Sequence, residues 1–265
     1  MYSPFQLAKK YIQYRLTSSN RKGHGVHSPF VFNFIHNVLR DKKNYACYTA
    51  IEDQRKKLLQ NETIIEIEDF GAGSATLKSN KRVVKNIAAS SLKSAKFAQL
   101  LYRIVQYYKP ASVLELGTSL GITTAYMANA NKGNKVYTCE GAASITAVAA
   151  KTFSNLCIEN IEIIQGDFAK TLQPLLKRIV TINLVFIDGN HRKEPTIEYF
   201  NQILAYSTPA TIFIFDDIHW SKEMETAWQH IQQHAAVTVT IDLFFIGLVF
   251  INHNFKVKQH FTIKF

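Results

Sequence analysis

The sequence contains few cysteines and no long uninterrupted apolar segment. Its 265 residues include only 3 cysteines, which are too few and too scattered for a disulfide framework or a cysteine metal site. We therefore expect Cys47, Cys139 and Cys157 to be buried free thiols. The apolar stretch LFFIGLVFI, residues 243–251, is about half of the ~20 residues that a membrane-spanning helix needs, so we expect no membrane span.

The N-terminus also lacks the continuous apolar region of a secretory signal peptide. Lys9 and Lys10 follow closely on the first apolar residues, so a cytoplasmic location is expected. Hydrophobic residues make up 47% of the chain, which excludes a disordered protein. The length is sufficient for one substantial core plus an appendage.

Acidic residues are scarce in the first part of the chain. Residues 1–109 contain 19 Lys plus Arg against 7 Asp plus Glu, whereas residues 110–265 contain 12 against 13. Residues 70–114 contain eight basic residues and no acid. Such a region could attract an acidic small substrate, a nucleic acid or an anionic membrane, or it could be a solvated face without a partner. Nucleic acid is disfavoured, because no zinc finger, RNP-type aromatic motif or helix-turn-helix signature accompanies the charge.

The segment VLELGTSLGITTAYMA, residues 113–128, is the most informative part of the chain. It predicts an apolar strand, an acid, a glycine-spaced turn and a helix whose free N–H groups can face a polar ligand. Its spacing, E-x-G-x-x-x-G, differs from the G-x-G-x-x-G of a dinucleotide site, and its acid favours a positively charged ligand. The candidate ligand residues here are Glu115, Gly117, Thr118, Ser119 and Gly121.

At these residues the sequence resembles motif I of class I S-adenosylmethionine-dependent methyltransferases. The next predicted strand, KVYTCE, ends at Glu140, 23 positions after Gly117, where a ribose diol needs acceptors. Gly141 follows it. A third strand precedes a loop that, by the resemblance, borders the adenine of S-adenosylmethionine; its residues are Gly166, Asp167 and Phe168.

Two further apolar runs end in acids. LVFIDGNH ends a fourth strand at Asp188, and TIFIFDDIHW ends a fifth at Asp216 and Asp217. Strands that alternate with helix-length segments predict a parallel sheet with its chemistry at one edge. Asp188 is expected beside the reactive end of the cofactor.

We therefore expect an α/β fold that is Rossmann-like, doubly wound and mostly parallel, with a seven-stranded sheet. The stretch around residues 245–247 predicts a C-terminal antiparallel hairpin, and the alternating tail 256–265 is a candidate edge strand. Residues 91–108 have the spacing of an amphipathic helix. We expect residues 90–265 to form the S-adenosylmethionine-binding domain and residues 1–89 a basic, mostly helical cap that makes the substrate region.

The acceptor chemistry follows from the last two strand ends. Asp188, Asp216 and Asp217 could hold Mg²⁺ or another divalent cation that acidifies an acceptor hydroxyl. AKFAQLL before the glycine motif resembles the catechol and caffeoyl-coenzyme A O-methyltransferase group. The metal-dependent members use an Asp and an Asp-Asn pair at these strand ends, whereas this chain has Asp-Asp.

A metal-free alternative uses histidine. FIDGNH also resembles the D-G-x-H pattern of a broader family of uncharacterised S-adenosylmethionine-dependent methyltransferases, in which His191 or His219 would be the general base. A histidine beside carboxylates holds its proton more tightly, which weakens it as a base. Asp188, His191 and His219 are thus the candidate catalytic residues.

Two other patterns have mainly structural interpretations. DFGAGS, residues 69–74, is a second glycine motif, but no acid follows within 40 residues to bind a ribose, so we expect a shaped turn or a loop over the active site. His24 and His27 lack a nearby carboxylate or cysteine and form a poor metal signature.

The favoured function is methylation of a hydroxyl on a small, possibly acidic molecule, with S-adenosylmethionine as cofactor and a homodimer as a further expectation. N-methylation or nucleic-acid methylation is an alternative. The loop IDGNHRKEP argues against it, because this loop lacks the D/N-P-P-Y motif. A nucleotide-binding scaffold without catalysis is the non-enzymatic alternative.

Overall fold

The computed structural model describes residues 1–19, 27–67 and 80–265. The helices, in chain order, are α1 Pro4–Thr17, α2 Pro29–Phe34, α3 Ala46–Leu59, α4 Val84–Ser91, α5 Ala95–Tyr108, α6 Ile122–Ala130, α7 Ala143–Asn155, α8 Phe168–Arg178, α9 Lys193–Leu204 and α10 Lys222–Gln233, and a π-helical turn, Ile35–Leu39, continues α2. The strands are β1 Ile64–Glu66, β2 Lys81–Val83, β3 Ser112–Leu116, β4 Lys135–Glu140, β5 Ile161–Gln165, β6 Ile182–Ile187, β7 Ser207–Asp216, β8 Val239–Asp242, β9 Ile246–Phe250 and β10 Gln259–Thr262.

The chain divides into two compact units. Residues 42–179 form one, called here the central unit, and residues 1–41 with 180–265 form the other, called the terminal unit. The sequence predicted a different division, after residue 89, and that division stays a prediction. The glycine motif at 69–74 and His24 lie outside the described residues.

The central unit contains the first three predicted strands of the sheet. β3, β4 and β5 pair in parallel, with Leu116 opposite Cys139 and Glu140 opposite Gln165. All five residues of β3 are buried, as expected for a strand covered on both faces. Because parallel strands end at the same edge, the residues after them are brought together. β1 and β2 form a separate antiparallel pair.

The helix predicted over residues 91–108 begins later than expected. α4 ends at Ser91, and α5 begins at Ala95 and continues to Tyr108. Its buried side chains include Leu100, Leu101 and Ile104, which agrees with the amphipathic spacing of this segment.

The terminal unit contains the strands that follow. Their order is β10-β8-β9-β7-β6, with β6 and β7 parallel and β9 antiparallel to both β7 and β8. The predicted C-terminal hairpin is therefore confirmed as β8 and β9. The tail predicted as a candidate edge strand is also confirmed, because β10 pairs in parallel with β8 at the edge of the sheet and adds an eighth strand to the seven expected.

One close approach in this unit depends on a glycine. Gly247 lies on β9, and a Cβ atom there would come within 2.7 Å of the Trp228 ring on α10. The absence of a side chain lets the tryptophan pack directly on the strand. Trp220, the other tryptophan, precedes α10 and accepts a backbone hydrogen bond from Tyr2 at 3.1 Å.

The cysteine prediction was only partly right. All three thiols are free, but Cys139 alone is buried, while Cys47 is half-buried and Cys157 is exposed. No helix within the described residues combines the length and apolar character required to cross a bilayer.

Candidate active site

The turn after β3 has the backbone conformation that the sequence predicted. Gly117 and Gly121 have φ of 105° and 83°, and Ser119 between them has 48°. Glycine adopts such angles without steric cost. At Gly121 a Cβ atom would also lie 2.6 Å from Cε1 of Phe153 on α7. Glycine is thus required both by the turn and by the close packing of α6 on α7.

Glu115, at the penultimate position of β3, points into the protein. Its side chain is fully buried and accepts hydrogen bonds from the hydroxyls of Thr123 at 2.9 Å, Thr138 at 2.6 Å and Thr124. Burial raises the pKa of Glu115 to about 7, although the three hydroxyl bonds act in the opposite direction. The sequence predicted a ligand contact here, whereas these bonds make Glu115 the anchor of the first turn of α6.

Glu140, at the end of β4, fastens two loops of the central unit. Its Oε2 accepts from the backbone N–H of Ser119 at 2.9 Å, and its Oε1 accepts from that of Ala142 at 3.1 Å. Gly141 lies between Glu140 and Ala142 and also donates to this carboxylate. Burial raises the pKa of Glu140, while these backbone bonds favour its charged form.

The third predicted loop joins the same strand end. The N–H of Gly166 donates to the carbonyl of Glu140 at 2.8 Å. Asp167 caps α8 by accepting from the N–H of Ala169 at 3.0 Å, and Phe168 is the first residue of that helix. The central unit therefore brings together the turn at 117–121, Glu140 and the loop 166–168.

The terminal unit brings together Asp188, His191 and Asp216. Each offers a ligand atom within 4.8 Å of the others, and this set is called here the cation group. Nε2 of His191 lies 3.6 Å from Oδ1 of Asp188, and Asp216 at the end of β7 is buried. Two carboxylates and an imidazole are donors that many divalent cations accept.

Asp217 is not part of the cation group. Its φ of 52° turns the chain immediately after β7, and its N–H donates to the carbonyl of Phe245 at 2.6 Å. The ligand set expected from the sequence, with Asp217 as its third member, therefore differs from the set that the structure gathers. His191, predicted as a base, is the third member instead, because the loop after β6 brings its side chain close to Asp188.

Sequence reasoning missed Asn190 in the same loop. Asn190 has a φ of 67°, and its Nδ2 donates to the hydroxyl of Tyr199 on α9 at 3.2 Å. Its Oδ1 is buried and has no hydrogen-bond partner among the described residues. An asparagine next to Gly189 is a signal for a left-handed turn and could have indicated how His191 is oriented.

His219 lies in a carboxylate cage within the terminal unit. Its Nε2 lies 2.7 Å from Asp242 and its Nδ1 lies 3.1 Å from Glu225, while its ring stacks on Phe244. Burial alone would lower the pKa of His219, but the bonds to Asp242 and Glu225, with their charges, raise it overall. Both ring nitrogens thus lie within hydrogen-bond distance of a carboxylate, which leaves neither of them directed at an acceptor hydroxyl.

Comparison with known proteins agrees with the fold and the motifs. Residues 114–218 match the family described as a methyltransferase domain. A catechol O-methyltransferase of Niastella koreensis is 32% identical over 126 residues, which cover 46% of this chain and 55% of that protein. The chain thus spans about half the length of this curated relative.

Solved structures share the fold at low identity. The O-methyltransferase TomG of Streptomyces achromogenes, which acts in tomaymycin synthesis and was solved with S-adenosylmethionine, has a TM-score of 0.56 and 16% identity, covering 82% of this chain and 95% of that one. An O-methyltransferase of Bacillus cereus in complex with S-adenosylhomocysteine has a TM-score of 0.56 and 18% identity, covering 83% and 97%. The predicted resemblance to class I S-adenosylmethionine-dependent methyltransferases and the predicted fold class are confirmed.

Proposed function

We propose that this protein transfers the methyl group of S-adenosylmethionine to a hydroxyl of a small molecule. The observation that carries the proposal is the junction at Glu140, where the glycine turn and the loop 166–168 meet through hydrogen bonds to one residue. The relatives described above are O-methyltransferases by name, which supports oxygen as the methylated atom.

The cofactor residues fit their proposed ligand. Glu140 would accept from both ribose hydroxyls, and the turn from Gly117 to Gly121 would let the backbone approach the cofactor closely. Gly166, Asp167 and Phe168 would border the adenine. Glu115 would support the turn from inside through its threonine bonds, and Asp188 is proposed beside the reactive end.

The donor set of the cation group fits a divalent ion. Asp188 and Asp216 would supply carboxylate oxygens and His191 an imidazole nitrogen. A bound cation would lower the pKa of a coordinated acceptor hydroxyl. Because one donor is nitrogen, we propose that Mn²⁺ is accepted at least as well as Mg²⁺, which prefers oxygen alone.

A metal-free reaction with His191 as general base is the second candidate. The observation that favours it is the contact between Nε2 of His191 and Asp188, since a carboxylate orients an imidazole that takes up a proton. His219 is no longer a candidate base, because both of its nitrogens face carboxylates.

The cofactor proposal is tested by calorimetry with S-adenosylhomocysteine. Glu140→Ala should weaken binding at least about tenfold, because charge-assisted hydrogen bonds contribute about 1.5 to 3 kcal/mol each. Glu159→Ala, an exposed glutamate of the same unit, is the matched control and should bind normally. Unchanged affinity in Glu140→Ala, or tighter binding of NAD, would refute the assignment.

The cation proposal is tested without turnover, by titrating Mn²⁺ and Mg²⁺ in a calorimeter. Asp216→Ala and His191→Ala should lose or weaken cation binding, whereas Asp217→Asn should retain it. Retention in His191→Ala with loss in Asp217→Asn would restore the ligand set predicted from the sequence.

The transfer itself is tested with radiolabelled S-adenosylmethionine and a panel of hydroxyl compounds that begins with catechols. Methylation that stops in excess chelator supports the cation, whereas methylation that persists there and stops in His191→Ala supports the histidine base. Labelling of RNA or DNA instead would support the nucleic-acid alternative, and cofactor binding without transfer to any acceptor would support the scaffold. The acidic character of the acceptor, the homodimer and the cytoplasmic location stay predictions.

A further inference from the structure

Helix α1 has one face that packs against the rest of the terminal unit. The buried Tyr14 donates its hydroxyl to the carbonyl of Ile263 and accepts from the N–H of Phe265. Tyr11 packs edge-on against Phe244 with ring centroids 5.1 Å apart. These contacts fix which side of α1 is turned outward.

The inner face also includes a charged contact. Nζ of Lys10 lies 2.9 Å from Oε1 of Glu225, and the hydroxyl of Tyr2 donates to Oε2 of the same carboxylate at 2.6 Å. Lys10 therefore has its charge balanced within the unit. The remaining cations of α1, Lys9 and Arg15, are exposed.

The opposite side of α1 is apolar too. Phe5, Ile12 and Leu16 follow one another at helical spacing and are 80%, 59% and 81% exposed, and Met1 just before the helix is 86% exposed. These four residues are called here the outer face of α1. An ordinary surface helix has polar residues at such positions.

The outer face of α1 is a cluster and does not reflect a generally apolar surface. Ten large hydrophobic side chains are exposed among the described residues, and four of them lie within the first 16 positions. Single exposed hydrophobic residues need no explanation, but a contiguous group commonly marks an interaction surface.

The charges beside the outer face are of one sign. Lys9 and Arg15 flank it, and α1 contains no acidic residue. The first 109 residues as a whole contain 19 basic residues against 7 acidic ones. An apolar stripe bordered only by cations is the pattern of helices that lie in the interface of an anionic bilayer.

We infer that the outer face of α1 binds the surface of an anionic lipid membrane. The apolar side chains enter the headgroup boundary, and Lys9 and Arg15 contact the anionic headgroups. The helix lies on the membrane and does not cross it, which agrees with the lack of a spanning helix in the described part of the chain.

A second copy of the chain fits this face less well. If two α1 helices packed on each other about a two-fold axis, Lys9 and Arg15 of both copies would surround the contact without an acid of α1 to balance them. A standard protein interface also uses about 20 to 30 residues on each side, far more than this stripe offers.

The inference is tested by co-sedimentation of the full chain with vesicles. One set contains phosphatidylcholine alone, and the other an equal mixture with phosphatidylserine. We expect sedimentation with the anionic vesicles only, weakened by added salt. The double variant Phe5→Gln with Leu16→Gln should reduce the vesicle affinity at least about tenfold, because two large apolar side chains no longer enter the bilayer. Lys9→Glu should reduce it at least about fivefold, because it removes one basic contact worth about 1 kcal/mol.

Matched controls separate this surface from non-specific apolar or electrostatic binding. Val180→Gln removes a side chain that is 94% exposed elsewhere, and Lys132→Glu changes an exposed lysine of the central unit; both should sediment like wild type. Wild type that stays in the supernatant, or α1 variants that sediment like wild type, would overturn the inference. A dimer in analytical ultracentrifugation that the α1 double variant abolishes, without vesicle binding by wild type, would identify a second copy as the occupant instead. Circular dichroism of each variant checks that α1 remains folded.

Discussion

The glycine turn of the central unit and the cation group of the terminal unit both end parallel strands, yet they are organised in opposite ways. In the turn, each carboxylate is satisfied by the protein itself: Glu115 by three threonine hydroxyls and Glu140 by backbone N–H groups. In the cation group, two carboxylates and one imidazole converge within 4.8 Å. Convergent carboxylates repel unless a cation or proton lies between them. The turn is therefore preorganised by its own bonds, whereas the ligand atoms of the cation group converge on a point where an ion would fit.

Breaking the preorganised turn should have the largest effect. Gly121→Ala places a Cβ against Phe153 and requires an alanine at a φ of 83°, so we expect about 2 to 4 kcal/mol of lost stability in urea unfolding. Gly133→Ala is the control, since its Cβ would meet only Oδ1 of Asn131 at 3.4 Å. Adding Phe153→Leu should recover the steric part of the loss. If Gly121→Ala unfolds like Gly133→Ala, the turn is not tightly packed.

The pH dependence of stability at Glu115 tests the same turn through its buried carboxylate. Its pKa is raised by burial to about 7 in the folded state, so its protonated form stabilises the fold below its ordinary pKa of about 4.3, and this contribution is lost as pH rises to about 7. The stability of wild type relative to Glu115→Gln should therefore fall by about 3 kcal/mol between pH 4, just below the ordinary pKa, and pH 8, about one unit above the raised pKa. A constant difference across this range would show that Glu115 does not titrate there.

The cation group should respond to ions where the turn does not. At a free Mn²⁺ concentration about 100 times its dissociation constant, wild type should gain about 2.7 kcal/mol of stability. Asp188→Asn should gain much less, because one of the carboxylate donors is lost. Glu140→Ala is the control and should show the full Mn²⁺ response. An equal response in Asp188→Asn would place the ion elsewhere.

The smallest effect is expected at His219, which lies between two carboxylates of the terminal unit. Its pKa is raised overall by Asp242 and Glu225, so its contribution to stability is complete below the ordinary histidine pKa of about 6.5 and is lost as pH rises through the higher folded value. Wild type should therefore lose its advantage over His219→Gln in alkaline buffer. His230→Gln, at an exposed position of α10, is the control and should show little change.

The sequence was sufficient to predict the strands of the central unit and their parallel arrangement, the glycine turn and the C-terminal hairpin. These features depend on local patterns: apolar strands, glycines at positive φ and a short reversal near Phe245. The same locality explains why Glu140 and Gly166 were predicted together, since parallel strands end at a common edge.

Side-chain direction was not predictable in the same way. Glu115 turns inward because Thr123, Thr124 and Thr138 offer hydroxyls that lie 8 to 23 positions away. Asp217 lies outside the cation group because its own left-handed backbone conformation redirects the chain. Such outcomes depend on single dihedral angles and distant partners, which residue spacing does not encode.

The carboxylates around His219 show most clearly which contacts the sequence could not predict. Asp242 and Glu225 come from β8 and α10, and the sequence showed neither as a partner of this histidine. The general statement that nearby carboxylates strengthen proton binding was correct, but which carboxylates would be nearby required the tertiary structure.

Trp228 packs directly against Gly247, so its fluorescence should change when this contact is lost on unfolding. Both tryptophans of the sequence, Trp220 and Trp228, lie in the terminal unit, and the central unit has none. Their emission therefore follows the melting of the terminal unit alone, while far-ultraviolet dichroism follows both units. Superimposable transitions by the two signals would mean that the units unfold as one cooperative body, and separated transitions would mean that each has its own stability. No label or added chromophore is needed to distinguish these cases.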